Sequence, residues 1–301
     1  MAGTKEIQTR MHSIQDTMKI TRAMYMISSA KLKKARKTLE NSAVHFQSIQ
    51  ESITSVLCHV PDMDNTYFGY HKPKNRGKKV GYLVVTADKG LAGAYNHNVI
   101  RMVEQQIATE QNVELFVVGQ MGRSYFEKKG YRIHHHFKYT AQNPSVHRAR
   151  VISEDMLVRY NEQRLDEIYM VYTRNRNGFE REPEVVKLLP LSKESFNQSI
   201  LAGCDTAGET RYLPSPEDVM NLMVPNYITG YIYGALVEAY ACEHNDRMVA
   251  MDAATQNATE MLRTLTVEYN RMRQAAITQE ITEVIAGAKA QRRKKEGNEE
   301  W

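Results

Sequence analysis

Two stretches without a single glycine or proline, one toward each end of the chain, limit what this sequence can fold into. The first runs from Thr4 to Val60 and the second from Ala235 to Ala286. Glycine and proline are the residues that most reliably stop a helix, so each stretch reads as one continuous helix. Good helix formers (Ala, Met, Leu, Glu, Gln and Arg) fill the second. At about 1.5 Å per residue the first spans roughly 80–85 Å, and the second, taken from Asn226 to Lys289, roughly 90–95 Å. No small core can bury helices of that length, so each needs a long helical partner.

The apolar spacing predicts that they pair with one another. Ile7, Met11, Ile14, Met18, Thr21, Tyr25, Ser28, Leu32, Ala35, Leu39, Ser42, Phe46, Ile49, Ile53, Val56 and Val60 step by 4 and 3 without a break. Met251, Ala254, Ala258, Met261, Leu265, Met272 and Ala275 give a second seam, interrupted once at Glu268. A repeat of about 3.5 residues asks for a left-handed supercoil. The expected arrangement is an antiparallel coiled coil of residues 1–62 and 212–290, with local weak points at the polar seam residues Thr21, Ser28 and Ser42. Wide polar faces on the second helix, carrying Asp252, Gln256, Glu260, Arg263, Arg271, Arg273 and Glu280, mark a rod rather than a core helix.

The middle of the chain changes period. After a linker over 63–77, rich in turn formers and charge, come the strand runs VGYLVVT (from Val80), VELFVVG (from Val113), DEIYMVYT (from Asp166) and EVVKLLPL (from Glu184). YRIHHHF is a further candidate strand. Helical stretches fall between them, including Ser145 to about Arg164. Strands alternating with helices predict a Rossmann-like α/β domain over 78–211 with a largely parallel sheet, inserted between the two long helices. The fold class is thus α+β in two parts. Ser215, Pro216 and Glu217 form a helix start, and Pro225 marks an expected kink or break before the long helix. Residues 291–301 read as a charged, disordered tail.

Several chemistries are disfavoured by what the motifs lack. ADKGLAGAYN follows a strand and opens a helix, yet it matches neither G-x-G-x-x-G nor G-x-x-x-x-G-K-[ST], so no phosphate cradle or nucleotide cofactor is specified. His134, His135 and His136 have no further ligands at metal-site spacing, and no G-x-S-x-G is present. Cys58, Cys204 and Cys242 are widely spaced and read as reduced thiols. No apolar run reaches the ~20 residues of a membrane span, and MAGTKEIQTR has no apolar leader core. The expected setting is cytosolic, or peripheral to a membrane through a partner. The net charge of +5 favours an acidic partner. The basic run AKLKKARK, Ala30 to Lys37, fits a solvated face, a nucleic acid or an acidic protein surface. It lacks the aromatic interleaving and the surrounding motif of a nucleic-acid reader.

The stretches KEIQTRMHSIQDTMKITRAMYMISSAKLKKA, EHNDRMVAMDAATQNATEMLRTLTVEYNRMRQAAITQEITEVIAGA, VVTADKGLAGAYNHNVI, KLLPL and LPSPEDVMNLMVPNYITGYIYGALVEAY together resemble the gamma subunit of F-type ATP synthases, of bacterial type, in the same order and nearly end to end. The resemblance implies a rotor shaft without catalytic residues or cofactors of its own. It implies alpha, beta and epsilon subunits and a c-ring as partners, no nucleic acid, and a place on the cytoplasmic side of the cell membrane held only through the complex. It places Met24 near an acidic loop of beta and Arg247 in the same energetic region. Arg273 and Gln274 match a pair that bonds another beta loop, with Thr278 and Glu280 on the adjacent turn. Lys31, Lys33 and Lys34 would face the acidic interior and lower rim of the alpha/beta hexamer. The thiol-regulatory insert of the chloroplast relatives is absent. The alternative reading from the residues alone is a free-standing α/β ligand-binding protein or enzyme on a coiled-coil stalk.

Overall fold

A computed structural model of the chain describes residues 2–61, 63, 65–69, 77–110, 112–133, 137, 141–176, 180–193, 196 and 211–296. The elements, in order, are α1 (Ala2–His59), β1 (Val80–Val85), α2 (Tyr95–Ile107), β2 (Val113–Val118), α3 (Gln120–Lys128), α4 (Val146–Asn161), β3 (Glu167–Asn175), β4 (Arg181–Leu189) and α5 (Pro216–Glu296). The chain divides into two units. One is Met1–Met26 with Val249–Trp301, and the other is Ile27–Met248. The expected shaft residues are therefore shared between both units.

In the first unit α1 and α5 run in opposite directions. Thr21 and Thr255 share a hydrogen bond of 2.8 Å between their hydroxyls. Toward the start of α1, Arg10 and Ile14 line one groove with Asn257, Glu260, Met261, Thr264 and Leu265. Along α1 the less exposed positions are Ile7, Met11, Ile14, Met18, Thr21 and Met24. They follow the expected rhythm until Met24, which turns inward in place of Tyr25. The α5 seam differs from expectation. Met251, Ala258 and Leu265 are buried as expected and Ala254 is half-buried, but Thr255, Leu262 and Tyr269 also turn inward, whereas Met261 is 52% exposed. The true steps are 4-3-4-3-4 with a threonine inside the seam, and that threonine is accepted because Thr21 faces it. Each seam hydroxyl also lies within bonding distance of a carbonyl of its own helix, Thr21 of Met18 O at 3.1 Å and Thr255 of Met251 O at 2.8 Å; with one proton apiece, one hydroxyl donates across the seam and the other to its own helix.

The second unit holds a four-stranded sheet in the order β2-β1-β3-β4. β1 pairs in parallel with both β2 and β3, and β4 is antiparallel to β3. Every residue of β1 is buried, as expected for a central strand covered on both faces. Because successive side chains alternate, Tyr82 and Val84 pack with Val99, Val103 and Phe126 of α2 and α3. Leu83 and Val85 point the other way, toward Ile152, Met156 and Tyr160 of α4, Ile53 and Val56 of α1, and Val224, Ile228 and Ile232 of α5. Ser145 caps α4 by accepting from Arg148 N–H at 3.3 Å. Ser215 does the same for α5 from Asp218 N–H at 3.1 Å. The sheet is mixed rather than wholly parallel. The candidate third strand contributes among the described residues only an isolated bridge, Leu115 to Ile133.

Pro225 does not break the helix. It lies inside α5, and its ring removes the N–H that would have bonded Asn221 O. Asn221 is exposed, so water can serve that carbonyl. Met220, Val224, Tyr227 and Ile228 hold both sides of the proline on the same core. Helix also continues through residues 291–296 of the expected tail, and residues 297–301 lie outside the described residues. Cys58 is disulfide-bonded, against the expectation of reduced thiols, while Cys242 is free and buried. Wide spacing along a chain does not keep two thiols apart in space. No helix among the described residues is long and apolar enough to cross a membrane.

Candidate partner-binding surfaces

The sequence-predicted contact residues fall into two kinds. Arg273, Gln274, Thr278 and Glu280 are exposed on α5. Thr278 donates its hydroxyl to Gln274 O at 2.9 Å, which leaves both Gln274 amide groups free to meet a partner. Around them α5 is bare. Among residues 270–291 only Ala276 is even partly covered. Ile277, Ile281, Val284 and Ile285 are 48%, 54%, 71% and 51% exposed. Their spacing puts all four on one helix face. An isolated apolar side chain on a surface is ordinary, but a row of four beside an arginine marks an interaction face. Met24 is half-buried in the α1 seam, Lys31 is half-buried, and Lys33 and Lys34 are exposed.

Arg247 differs from the rest: it is only 6% exposed. Its guanidinium is 2.7 Å from the Glu243 carboxylate, one helical turn earlier. It also donates to Lys89 O at 3.2 Å and to Gly90 O at 3.1 Å. Its third nitrogen lies 3.2 Å from His244 Nδ1. Because arginine only donates, His244 accepts at Nδ1 and carries its proton on Nε2. Burial, reinforced by the charges of Arg247 and Lys31, lowers the His244 pKa to about 3. Burial raises the pKa of Glu243, against the opposing charge of Arg247.

This buried polar run, Glu243 to Asp246, is what sequence reasoning missed. Asp246 pairs with Arg181 at the start of β4, and Glu238 accepts from Asn175 N–H at 3.1 Å. Burial raises the pKa of both carboxyls. Burial also pushes the Cys242 thiol up to about 12. A signal was present. EHND sits on a helix whose preceding turns, ALVEAYAC, are mostly apolar, so four polar residues in a row require partners if the helix stays buried.

The turn after β1 is held from several sides. Ala87 N–H donates to Asn96 Oδ1 at 2.8 Å, and Asp88 Oδ1 accepts from Gln120 N–H at 3.1 Å. The start of α3 is then occupied by the chain's own acceptors. Met121 N–H donates to Ala87 O at 3.0 Å, and Gly122 N–H to Thr86 Oγ1, also at 3.0 Å. Helix N-termini bind phosphate through free N–H groups, and these are already engaged. Gly119, at φ 95°, allows the approach, since a Cβ there would lie 2.1 Å from Thr86 O. A cleft of about 860 Å³ opens elsewhere in the second unit, with Phe46, Tyr172, Arg174, Gly234 and Glu238 among its walls. No group of three or more metal-ligating side chains occurs among the described residues, and His134, His135 and His136 lie outside them.

A family model described as ATP synthase matches residues 3–291. The ATP synthase gamma chain of Ruminiclostridium cellulolyticum is 43% identical over 288 residues, covering 95% of this chain and 98% of that one. That of Caldanaerobacter subterraneus is 44% identical over 295 residues, covering 95% and 99%. Among solved structures, a chain of the Euglena gracilis mitochondrial ATP synthase aligns with a TM-score of 0.64 at 18% identity, covering 96% of this chain and 94% of its own. At that identity the match speaks for the fold.

Proposed function

The chain belongs to the gamma-chain family of ATP synthase, and on that premise we propose that it is the central rotor shaft, coupling ion flow through a c-ring to the catalytic alpha/beta hexamer. The α1/α5 pair of the first unit acts as an antiparallel coiled coil inside that hexamer. The sheet of the second unit acts as a Rossmann-like foot toward the c-ring and epsilon. The chain supplies no bond-making group. Its work is to offer a different side to each of three beta subunits at any angle, so that their sites take different affinities for ADP, phosphate and ATP. A ligand or partner shifts a conformational equilibrium only by binding its states unequally, and an asymmetric shaft meets that requirement. The complex is membrane-bound, and this chain sits peripherally on its cytoplasmic side.

The observation that carries the reading is the bare end of α5. Four apolar residues and the Arg273–Gln274 pair stand exposed there, as a shaft end enclosed by a sleeve requires. Arg273 fits a carboxylate of a beta loop, since a guanidinium–carboxylate bond is selective for direction as well as charge. Lys31, Lys33 and Lys34 fit the acidic rim of the hexamer, and Met24 packs near an acidic beta loop. Purification of the tagged chain from its native membranes tests the proposal. Alpha and beta subunits are expected in stoichiometric yield. Recovery of the chain alone, with its sheet unit binding nucleotide tightly, would establish the free-standing α/β alternative instead.

A further inference from the structure

The last rung of the β3–β4 ladder sets Asn175 opposite Arg181, and α5 takes hold of both sides of it. Glu238 accepts from Asn175 N–H at 3.1 Å, and Asp246 accepts from the Arg181 guanidinium. Glu238, Cys242 and Asp246 follow one another at steps of four, so they share one face of the helix. The two carboxylates stand about 12 Å apart along its axis. Facing residues of an antiparallel pair are only about 5 Å apart. One strand therefore offers its amide, and the other a side chain long enough to cover the remaining distance. Apolar packing between the two bonds is small, since Cys242 clusters there with Ala87, Ala92 and Tyr95. The hairpin itself is held closed by Arg174 and Glu184 at 3.1 Å.

We propose that Glu238 and Asp246 are positioning residues: they clamp α5 at two points to the end of the β3–β4 hairpin, so that the helix cannot roll about its axis unless the sheet moves with it, and torque passes between the sheet and α5 through this clamp. One bond would leave the helix free to swing about it. Two bonds to different strands, spaced along one helix face, remove both swing and roll. Charged partners suit the task because a carboxylate bonded to an N–H or a guanidinium is directional, whereas apolar contact is not. The passage of torque rests on the shaft reading above, whereas the clamp does not.

The test uses Glu238→Met and Glu238→Gln, together with Asp246→Arg, Arg181→Asp and the exchanged pair that combines the last two. In the full-length chain, Glu238→Met should speed hydrogen exchange at the Asn175 amide by about 10-fold or more, whereas Glu238→Gln, which keeps an acceptor, should change it by less than about 3-fold. Unchanged exchange in Glu238→Met would overturn the clamp. In the assembled complex, Asp246→Arg and Arg181→Asp should each lower ions pumped per ATP by roughly 3-fold, and the exchanged pair should return to within about 1.5-fold of wild type. Wild-type pumping in both single variants, or no recovery in the exchanged pair, would overturn the passage of torque through this contact. If the charge-reversed variants do not assemble, Asp246→Asn, Arg181→Met and their double decide instead. A double effect no larger than the larger single supports the pair, and one near the product of the singles overturns it. If alpha and beta subunits do not co-purify, the shaft reading fails and the passage of torque with it, while exchange at Asn175 still decides the clamp.

Discussion

Replacing His244 by asparagine asks how dry the junction between α5 and the turn after β1 is. The imidazole is 4% exposed. It stands edge-on to Tyr240 with ring centroids 4.4 Å apart, and its Nε2 has no hydrogen-bond partner among the described residues. Burial first, and then the charges of Arg247 and Lys31, lower its pKa to about 3. In the unfolded chain the ordinary value of about 6.5 returns. Between those values the unfolded state binds a proton that the folded state refuses. Stability from this residue is therefore complete above the unfolded pKa and is lost as pH falls through the window toward 3. Integrating the linkage relation from about pH 7 to about pH 5 gives a loss of about 2 kcal/mol. Glu243, Glu238 and Asp246 act with the opposite sign, because burial raises their pKa values. They and the remaining histidines are common to both proteins and cancel in the difference. Urea unfolding of the wild-type and His244→Asn chains at several pH values in that range measures it. The wild-type stability should fall relative to the variant by about 2 kcal/mol. A difference independent of pH would mean that His244 charges freely in the folded chain, and the dry junction would be disproved.

Two further substitutions probe the helix pair. Leu262→Ala should cost about 1–2 kcal/mol more than Met261→Ala in urea unfolding, because Leu262 turns into the seam and Met261 out of it; equal costs would restore the register expected from sequence. Arg273→Ala with Gln274→Ala should leave the isolated chain within about 0.5 kcal/mol of wild type, since both are exposed, yet lower ATP synthesis by the assembled complex. Full synthesis would remove those two from the set of contacts.

Much of the fold is legible in the sequence wherever one periodicity dominates. The α1 seam could be followed because its 4-3 steps offer an apolar, Thr or Ser residue at each position, and only Tyr25 yields to its neighbour. The α5 seam misled because Met261 and Leu262 are adjacent and both apolar, so hydrophobicity does not choose between them. The correct steps pass through Thr255 and Tyr269, which look like surface residues until Thr21 is seen opposite the first. Pro225 misled for a related reason. Propensity disfavours it by about 3 kcal/mol within a helix, but the shared core on either side outweighs that cost. The polar run at 243–246 was hidden more deeply, because Glu243 and His244 meet Arg247, whose further partners are the main-chain carbonyls of residues 89 and 90. A backbone acceptor leaves no mark in a residue pattern. The exposed residues of α5 were legible only through family resemblance, since among the described residues their bonds stay within their own helix.

The bond between Thr21 and Thr255 joins residues 234 positions apart. During synthesis at about 5–20 residues per second, the first threonine waits roughly 12–47 s for the second to be made. Throughout that interval Ile7, Met11, Ile14 and Met18 form a greasy strip with nothing to lie against. The sheet, whose strands lie closer together in sequence, can form in the meantime. Birth order thus leaves the earliest-made segment to be finished last, and chaperones that shield amphipathic helices have their longest opportunity at the nascent amino-terminal end.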